Sequence, residues 1–336
     1  MRHRLKDVAE RAGVSVKTVS NVVNGYQHVR PDTRARVERA IAELNYRPNL
    51  SARSLRKGRT GIIALAVPEL DIPYFAELAR HVVTAAAEHG WTVLIDQTGG
   101  GHEQERRAAS GIGDHLIDGL ILSPLALTAD DLASLDGLPM VLLGERVDHG
   151  PADHVVVDNV AAAREITAHL VGLGRRRIAA IGFQRTPEGA SARLRLAGYA
   201  AALADAGLGY DERLVASATA WHRADGAAAM RALLDSGVRP DAVFCFNDTL
   251  ALGALRALHE AGLRVPEDVA VAGFDDIEDG RFSIPTLTTV APDKERIGRL
   301  AVELLAGRLT ADRDAPPREL VAPHRLALRE SAPDHP

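Results

Sequence analysis

The stretch Leu5-Lys6-Asp7-Val8-Ala9-Glu10-Arg11-Ala12-Gly13-Val14-Ser15-Val16-Lys17-Thr18-Val19-Ser20-Asn21-Val22-Val23-Asn24-Gly25 decides how the chain is read. Its first part has good helix formers with apolar residues at helical spacing, and Gly13 ends that helix because it tolerates positive φ. Ser15 is a good N-cap for a second helix, Val16 to Asn24, closed by Gly25. A third helix starts at Pro31, a favoured first helical position, and runs to Leu44. Val8, Ala9, Ala12, Val14, Val19, Val22, Val23, Val37, Ile41 and Leu44 supply a small shared core. Two short helices joined at a tight Gly turn and braced by a third form a helix-turn-helix, whose second helix lies in the DNA major groove. The positions expected to be exposed near its start are Ser15, Val16, Lys17, Thr18, Ser20 and Asn21. Lys17 can donate to guanine, Asn21 can pair with adenine, and Val16 can pack on a thymine methyl. The alternative is an unrelated three-helix bundle with a polar face.

Charge agrees with the first reading. The chain has 336 residues and a net charge of −5. Residues 1–60 hold 14 Lys+Arg against 5 Asp+Glu, a balance of +9, while the rest hold 26 against 40, a balance of −14. A basic head on an acidic body suits a polyanion-binding module attached to something else, although a solvated basic face would look the same by charge alone. Asn49-Leu50-Ser51-Ala52-Arg53-Ser54-Leu55-Arg56-Lys57-Gly58 follows Pro48. It is about two helical turns long, too short to be stable alone. It reads either as a segment that folds on binding or as a plain linker.

From Gly61 onward, short apolar runs alternate with Ala-rich amphipathic segments. Strands are expected at 61–67, 91–95, 119–122, 139–143 and 154–157, and again at 178–182, 242–246 and 269–274. Helices are expected at Tyr74–Glu88, Val160–Val171, Ala190–Ala206 and Leu250–Ala261. Continuous apolar strands separated by helices imply parallel sheets covered on both faces. The pattern occurs twice, so the fold class is α/β: an all-α head and two doubly wound parallel-sheet lobes. Ligands of such sheets gather at the carboxyl ends of the strands. There the sequence places Asp96-Gln97, Ser123, Glu145-Arg146, Asp158, Asn247-Asp248 and Asp275-Asp276.

The ordered signature from Leu5 to Gly25, followed by Leu44-Asn45-Tyr46-Arg47-Pro48-Asn49, resembles the lactose/galactose repressor (LacI/GalR) family. The resemblance implies that Val16, Lys17 and Asn21 choose the operator and that Thr18 and Ser20 contact phosphate. It makes the segment after Pro48 a minor-groove helix in which Leu55 wedges between base steps, with Arg53 and Arg56 beside it among the DNA contacts. It extends through the body, where Ser191 to Tyr199 is similar to an effector-binding segment that places Ser191 and Arg195 on the ligand. Asn247 and Asp275 match polar ligand contacts, and Trp221 an aromatic one, or a lid over the core. Asp71, Tyr74, Phe75, Ser123 and Arg146 complete the implied set, which suits a sugar or glycoside, in a periplasmic-binding-protein-like fold. The implied domains are 1–48, a hinge at 49–60, and 61–336. Lobe one would take about 61–158 and 291–322, and lobe two 159–290 and 323–336, with a third crossing near Thr289-Val290-Ala291.

The expected function is therefore a repressor that binds a palindromic operator as a homodimer or a tetramer and is released by a small molecule; the alternative is a co-repressing ligand. An enzyme is disfavoured, since no phosphate loop, HExxH or G-x-S-x-G motif occurs and Gly99-Gly100-Gly101 lacks GxGxxG spacing. No metal or cofactor is expected. A solute-binding protein would share the body's fold, but the charged N-terminus argues against a signal peptide. No apolar run is long enough for a membrane span. Cys245, the single cysteine, reads as a packed strand residue, and a cytoplasmic location is expected.

Overall fold

A computed structural model describes residues 3–23, 26, 28–46, 59–111, 116–135, 137–147, 150–186, 189–310 and 315–334. The chain divides into two units, Met1–Thr60 and Gly61–Pro336.

The first unit contains helices α1 (Leu5–Ala12), α2 (Val16–Val23) and α3 (Pro31–Glu43). Gly13 ends α1 at φ +64°, where a side chain would be strained. The Ser15 hydroxyl accepts the Thr18 N–H at 3.1 Å and so satisfies a free donor at the start of α2. Val8, Ala9, Ala12, Val19, Val22, Val37, Ala40 and Tyr46 are buried together, with Val14, Val23, Ile41 and Leu44 packed around them. Arg11 on α1 pairs with Glu43 on α3 at 2.6 Å. Asn24 and Gly25, expected to close α2, lie outside the described residues, as does the whole segment 47–58.

The second unit is built on two six-stranded sheets. The first sheet takes β1 (Ile62–Val67), β2 (Thr92–Gln97), β3 (Gly119–Leu122), β4 (Met140–Leu143), β5 (Asp153–Val157) and a late strand, β11 (Glu319–Ala322). The second takes β6 (Ile178–Phe183), β7 (Val215–Ser217), β8 (Ala242–Cys245), β9 (Ala270–Phe274), β10 (Thr288–Pro292) and β12 (His324–Ala327). Their orders, β11-β5-β4-β3-β1-β2 and β12-β10-β9-β8-β6-β7, are the same doubly wound pattern with one strand added at the end. All pairs are parallel except β10 with β12. Inner strands such as β3 and β8 are buried at every position, because helices cover both faces. Cys245 is one of these packed residues, fully buried, and burial pushes its thiol well above the usual range.

The covering helices of the first sheet include α4 (Pro73–Glu88), α5 (His102–Ala109), α6 (Ala129–Ala133) and, from the far end of the chain, α12 (Lys294–Leu309). Those of the second include α7 (Asn159–Gly172), α8 (Ala190–Asp205), α9 (Arg223–Asp235), α10 (Asp248–Glu260) and the short α11 (Glu278–Arg281). The chain passes between sheets three times, at Asp158, Asp293 and Pro323. Asp158 and Asp293 each cap the helix that follows, accepting Ala161 N–H and Arg296 N–H at 2.9 Å. The Asp293 N–H donates to the Pro323 carbonyl at 3.0 Å, tying two crossings together. The passage expected near Thr289-Val290-Ala291 falls two residues beyond them, since all three pair with β12 inside the second sheet and the strand continues to Pro292.

Close approach of α9 and α10 depends on glycine. A Cβ on Gly253 would sit 2.0 Å from the Arg223 carbonyl oxygen, and one on Gly226 would sit 2.1 Å from that of Leu250. Both obstacles are backbone, so neither can rotate away. Gly253→Ala is therefore expected to destabilise the chain by roughly 1–3 kcal/mol through overpacking. Gly172→Ala, where a Cβ meets nothing within 4 Å, should be neutral or slightly stabilising. Equal thermal unfolding midpoints for the two variants would contradict this account of the seam.

Candidate functional site

Two surfaces carry the candidate residues, one in each unit. On the head, Ser15, Val16 and Lys17 are exposed at the start of α2, and Thr18 and Asn21 are half-buried. Val16 is 44% exposed, unusual for an apolar residue in so small a core. The Ser15 and Thr18 hydroxyls lie 2.9 Å apart, which fixes both at the helix end. Ser20 departs from expectation: it is buried, one turn deeper than Val16, where α2 enters its packing against α1 and α3. Tyr26 and His28, which sequence reasoning passed over, meet edge to face at 5.7 Å, and Tyr26 is exposed. Arg53, Leu55 and Arg56 lie outside the described residues.

In the second unit, the carboxyl ends of both sheets border a cavity of about 420 Å³. Tyr74, Phe75, Ser123, Arg146, Ser191, Arg195, Trp221, Asn247 and Asp275 all line it. The fold brings these residues together from seven separate segments. Asp71 does not join them: it is exposed on the loop before α4 and outside the lining. Asp96 and Gln97 are part of β2 rather than following it, and they too lie outside the lining.

Arg195 organises the second-lobe wall. It is buried on α8, its Nε donates to Asn159 Oδ1 at 2.6 Å, and its Nη1 donates to the Phe246 carbonyl. The guanidinium lies 3.5 Å from the Phe274 ring centroid and 5.3 Å from that of Trp221, within cation–π range. Trp221 is fixed by its own Nε1, which donates to the Gly182 carbonyl at 3.0 Å. Asn247 accepts the Leu250 N–H at 2.8 Å as the cap of α10 and donates to the Trp221 carbonyl at 3.0 Å.

Asp275 sits just past β9 with φ +116°, a strained conformation for a residue with a side chain. Burial pushes its carboxyl up to about 7, against the pull of Arg195 and Lys294, while Glu77 and Glu145 push it further. Its neighbour Asp276, at φ +49°, points elsewhere and pairs with Arg281 at 2.8 Å and with Arg329. The two adjacent acids are thus separated by the chain turn, and no carboxylate dyad forms. Asp248, the next buried acid, accepts Thr289 Oγ1 at 2.6 Å and the Ile277 N–H at 2.9 Å, and burial raises its carboxyl well above the usual range. Burial likewise pushes the Tyr74 phenol up, with Asp275 and Glu145 adding to the effect, so Tyr74 presents a neutral O–H to the cavity.

Several contributors lie outside the ligand set that the resemblance implied, and of these only Glu145 stood among the strand-end residues read from sequence. Glu145 lines the cavity, its Oε2 accepting the Ser191 hydroxyl at 2.8 Å and its Oε1 the Val157 N–H at 3.2 Å. Glu69 and Gln184 line it as well. Like Glu145, both stand within two residues of the end of a central strand, the one signal that could have found them. Glu105 had no such signal. It is fully buried on α5 and accepts the N–H groups of Leu125, Ala126 and Leu127 at 2.7, 3.0 and 2.9 Å, holding the Ser123-Pro124-Leu125 wall in place. Gly99 and Gly100, from the triplet that lacks GxGxxG spacing, line the cavity beside that wall at positive φ. The cavity therefore offers aromatic faces, neutral donors, one buried cation and several carboxylates. This is what recognises a hydroxyl-rich ligand with apolar ring faces. Among the described residues no cluster of metal-ligating side chains occurs, and no helix is long and apolar enough to cross a membrane.

Known proteins share this arrangement. Residues 4–49 match the family described as bacterial regulatory proteins, lacI family, and residues 167–332 match the periplasmic binding protein-like domain. The chain is 39% identical over 342 residues to the HTH-type transcriptional regulator CelR of Thermobifida fusca, covering 98% of each protein. It is similar to a solved complex of the transcriptional regulator CelR with cellobiose, with TM-score 0.71 and 35% identity over 98% of this chain and all of that one. It is also similar to the crystal structure of the lac repressor dimer bound to operator and the anti-inducer ONPF, with TM-score 0.86 and 31% identity over 99% of this chain and 100% of that one. With a matched DNA-binding head, a matched binding domain and near-complete coverage of these regulators, the chain belongs to the lacI family and is a DNA-binding transcriptional regulator, not an enzyme.

Proposed function

We propose that this regulator represses transcription by binding a palindromic operator as a homodimer, and that a sugar or glycoside in the cavity releases it. The observation that carries the ligand half is Arg195, caged between Phe274 and Trp221 beside Asp275. A guanidinium edge, a carboxyl and ring faces converge there, and pyranose hydroxyls and C–H faces need that combination. The CelR–cellobiose likeness supports the same class. The homodimer is supported by the likeness to the lac repressor dimer and by Phe282 and Ile284, which are 78% and 96% exposed on the second lobe. Apolar side chains so exposed in one loop mark an association surface.

The DNA half rests on α2. Val16, Lys17 and Asn21 read bases, Ser15 and Thr18 contact phosphate from the helix end, and Leu55 with Arg53 and Arg56 acts in the minor groove. Ser20, being buried, contributes through the helix rather than by an extended side chain. Replacing Lys17 or Asn21 by Ala should cost roughly 1–3 kcal/mol per half-site and relax base preference. If a dimer makes roughly 6–10 phosphate contacts, log K should fall against log salt with a slope of about −5 to −9. Operator selection from a random library, read for wild type and Lys17→Ala, tests the assignment; identical base preferences would defeat it.

Ligand coupling gives a second test. A ligand shifts operator binding only by its differential affinity for the two forms, and a coupling of about 1–3 kcal/mol changes operator affinity about 5- to 150-fold. A sugar found by thermal shift should therefore weaken the operator complex, and Arg195→Ala should abolish the effect. If Arg195→Ala and Asp275→Asn both kept full sugar affinity, the cavity would not be the effector site.

Asp275 makes that affinity pH-dependent. Ligand hydroxyls donate to the ionised carboxylate, so sugar affinity should fall as pH drops below about 7, by up to about tenfold per pH unit. Stability runs the other way. The folded carboxyl titrates above the ordinary value of 3.8, so the folded form holds the proton more tightly, and this contribution is lost as pH rises from about 4 to 7. Asp275→Asn should accordingly raise the unfolding midpoint at pH 8 more than at pH 4, while binding sugar weakly at both. Calorimetric titrations and melts across that range would show it, and a pH-independent wild type would refute it.

A further inference from the structure

Beyond the contacts that define the cavity, three first-lobe carboxylates reach second-lobe partners. Glu145 accepts the Ser191 hydroxyl at 2.8 Å, Glu77 accepts the Glu278 N–H at 2.9 Å, and Glu69 pairs with His222 Nε2 at 2.8 Å. The first two are also anchored within the rest of their site: Glu145 holds the Val157 N–H, and Glu77 is paired with Lys294 at 2.6 Å. Glu69 is different. Among the described residues, the His222 ring is the only partner at ion-pair distance from Glu69, and the Oε2 that faces it is closed off from solvent and accepts no hydrogen bond. The side chains of the pair are 32% and 36% exposed, so it lies at the rim of the cavity that Glu69 lines.

We propose that Glu69 and His222 form a latch across the mouth of the cleft: the lobes close when the pair forms, and ligand enters and leaves when it breaks. The proposal rests on the cavity being the effector site, but its test needs no effector. Of the imidazole's charged neighbours along the chain, the Asp225 carboxylate accepts the His222 backbone N–H at 3.3 Å, and Arg223 is paired with Asp279 at 2.6 Å. A rim pair partly open to water is weak alone and is solvated at once when parted, so its two states lie close in free energy. A latch needs that property, and a fully buried pair could not supply it, since separation would strand a charge. Closing carries Glu69 Oε2 out of water, and the group that meets it there is the His222 ring, at 2.8 Å.

The test measures lobe separation directly. Fluorophores are placed on exposed positions of the two lobes by Glu103→Cys and Asp235→Cys, Cys245 being fully buried and unreactive. The labelled full-length chain is diluted into unlabelled chain, so that each assembly carries one dye pair, and energy transfer is read on single molecules without ligand. Wild type should show a dominant short-distance population. Glu69→Gln and His222→Gln should each reduce it at least about threefold relative to the longer-distance population. The double variant should go no further than either single one, because both remove the same contact. The exchanged pair, Glu69→His with His222→Glu, should restore the short distance. Unchanged distances in both single variants, additive opening in the double, or a wild type already dominated by the long distance would each overturn the latch.

Discussion

Burying the Arg195 guanidinium is the constraint around which the second unit is arranged. Burial pulls this cation toward deprotonation, and Asp275 and Glu145 oppose that pull. A charge in such a place persists only if its donors are bonded and an opposing charge stands near. Asn159 supplies one acceptor, and it is the first residue after the Asp158 crossing. The Phe246 carbonyl supplies another, at the end of β8. Phe274 lies under the guanidinium plane at the end of β9, directly before Asp275. One side chain on α8 therefore holds together two strand ends and one of the passages between lobes. Anything that changes the charge around Arg195 acts on the joint as well as on the pocket.

The Asp275-Asp276 turn shows how adjacent identical side chains acquire different work. Both residues have positive φ, which costs about 1–3 kcal/mol each and persists only where the surroundings enforce it. Here Lys294 enforces it, donating to both of their carbonyls at 2.6 and 3.0 Å. Asp276 lies among Arg281, Arg329 and, at 3.8 Å, Arg325, and in spite of burial Arg329 and Arg281 hold its carboxyl below the usual range. Asp275 has no such arginine cluster and is raised instead. A structural carboxylate and a ligand-facing one are thus made from one dipeptide by the direction the backbone turns.

Destabilising features concentrate on the ligand side of the sheets. The strained turn and the raised acids lie at strand ends and the buried cation packs against them from α8, whereas the inner strands and the glycine-fitted helix seams supply compensating packing. Such a division suits a domain with two arrangements of its lobes, since rigid lobes move as bodies while the weakly held contacts between them decide which arrangement prevails.

The sequence by itself determined the head, the class of fold and most of the cavity. Gly13, Ser15 and Pro31 act within one turn of their own positions, so capping chemistry reads directly from the residues. Apolar runs such as Ile62–Val67 and Ala242–Cys245 specify buried parallel strands, because no other environment accepts them. Strand-end polarity and the repressor-like segments pointed to ten of the residues that meet in the cavity. Only the tertiary structure decided which neighbours of those residues face inward. It sent Ser20 into the head's core and left Asp71 on the surface. It separated Asp275 from Asp276, and it joined Glu69 to His222 across 153 positions of chain. Local preference fixes how each segment folds. Which side chains meet across a cleft depends on where the packing of two sheets places the ends of their strands, and no short stretch of sequence contains that information.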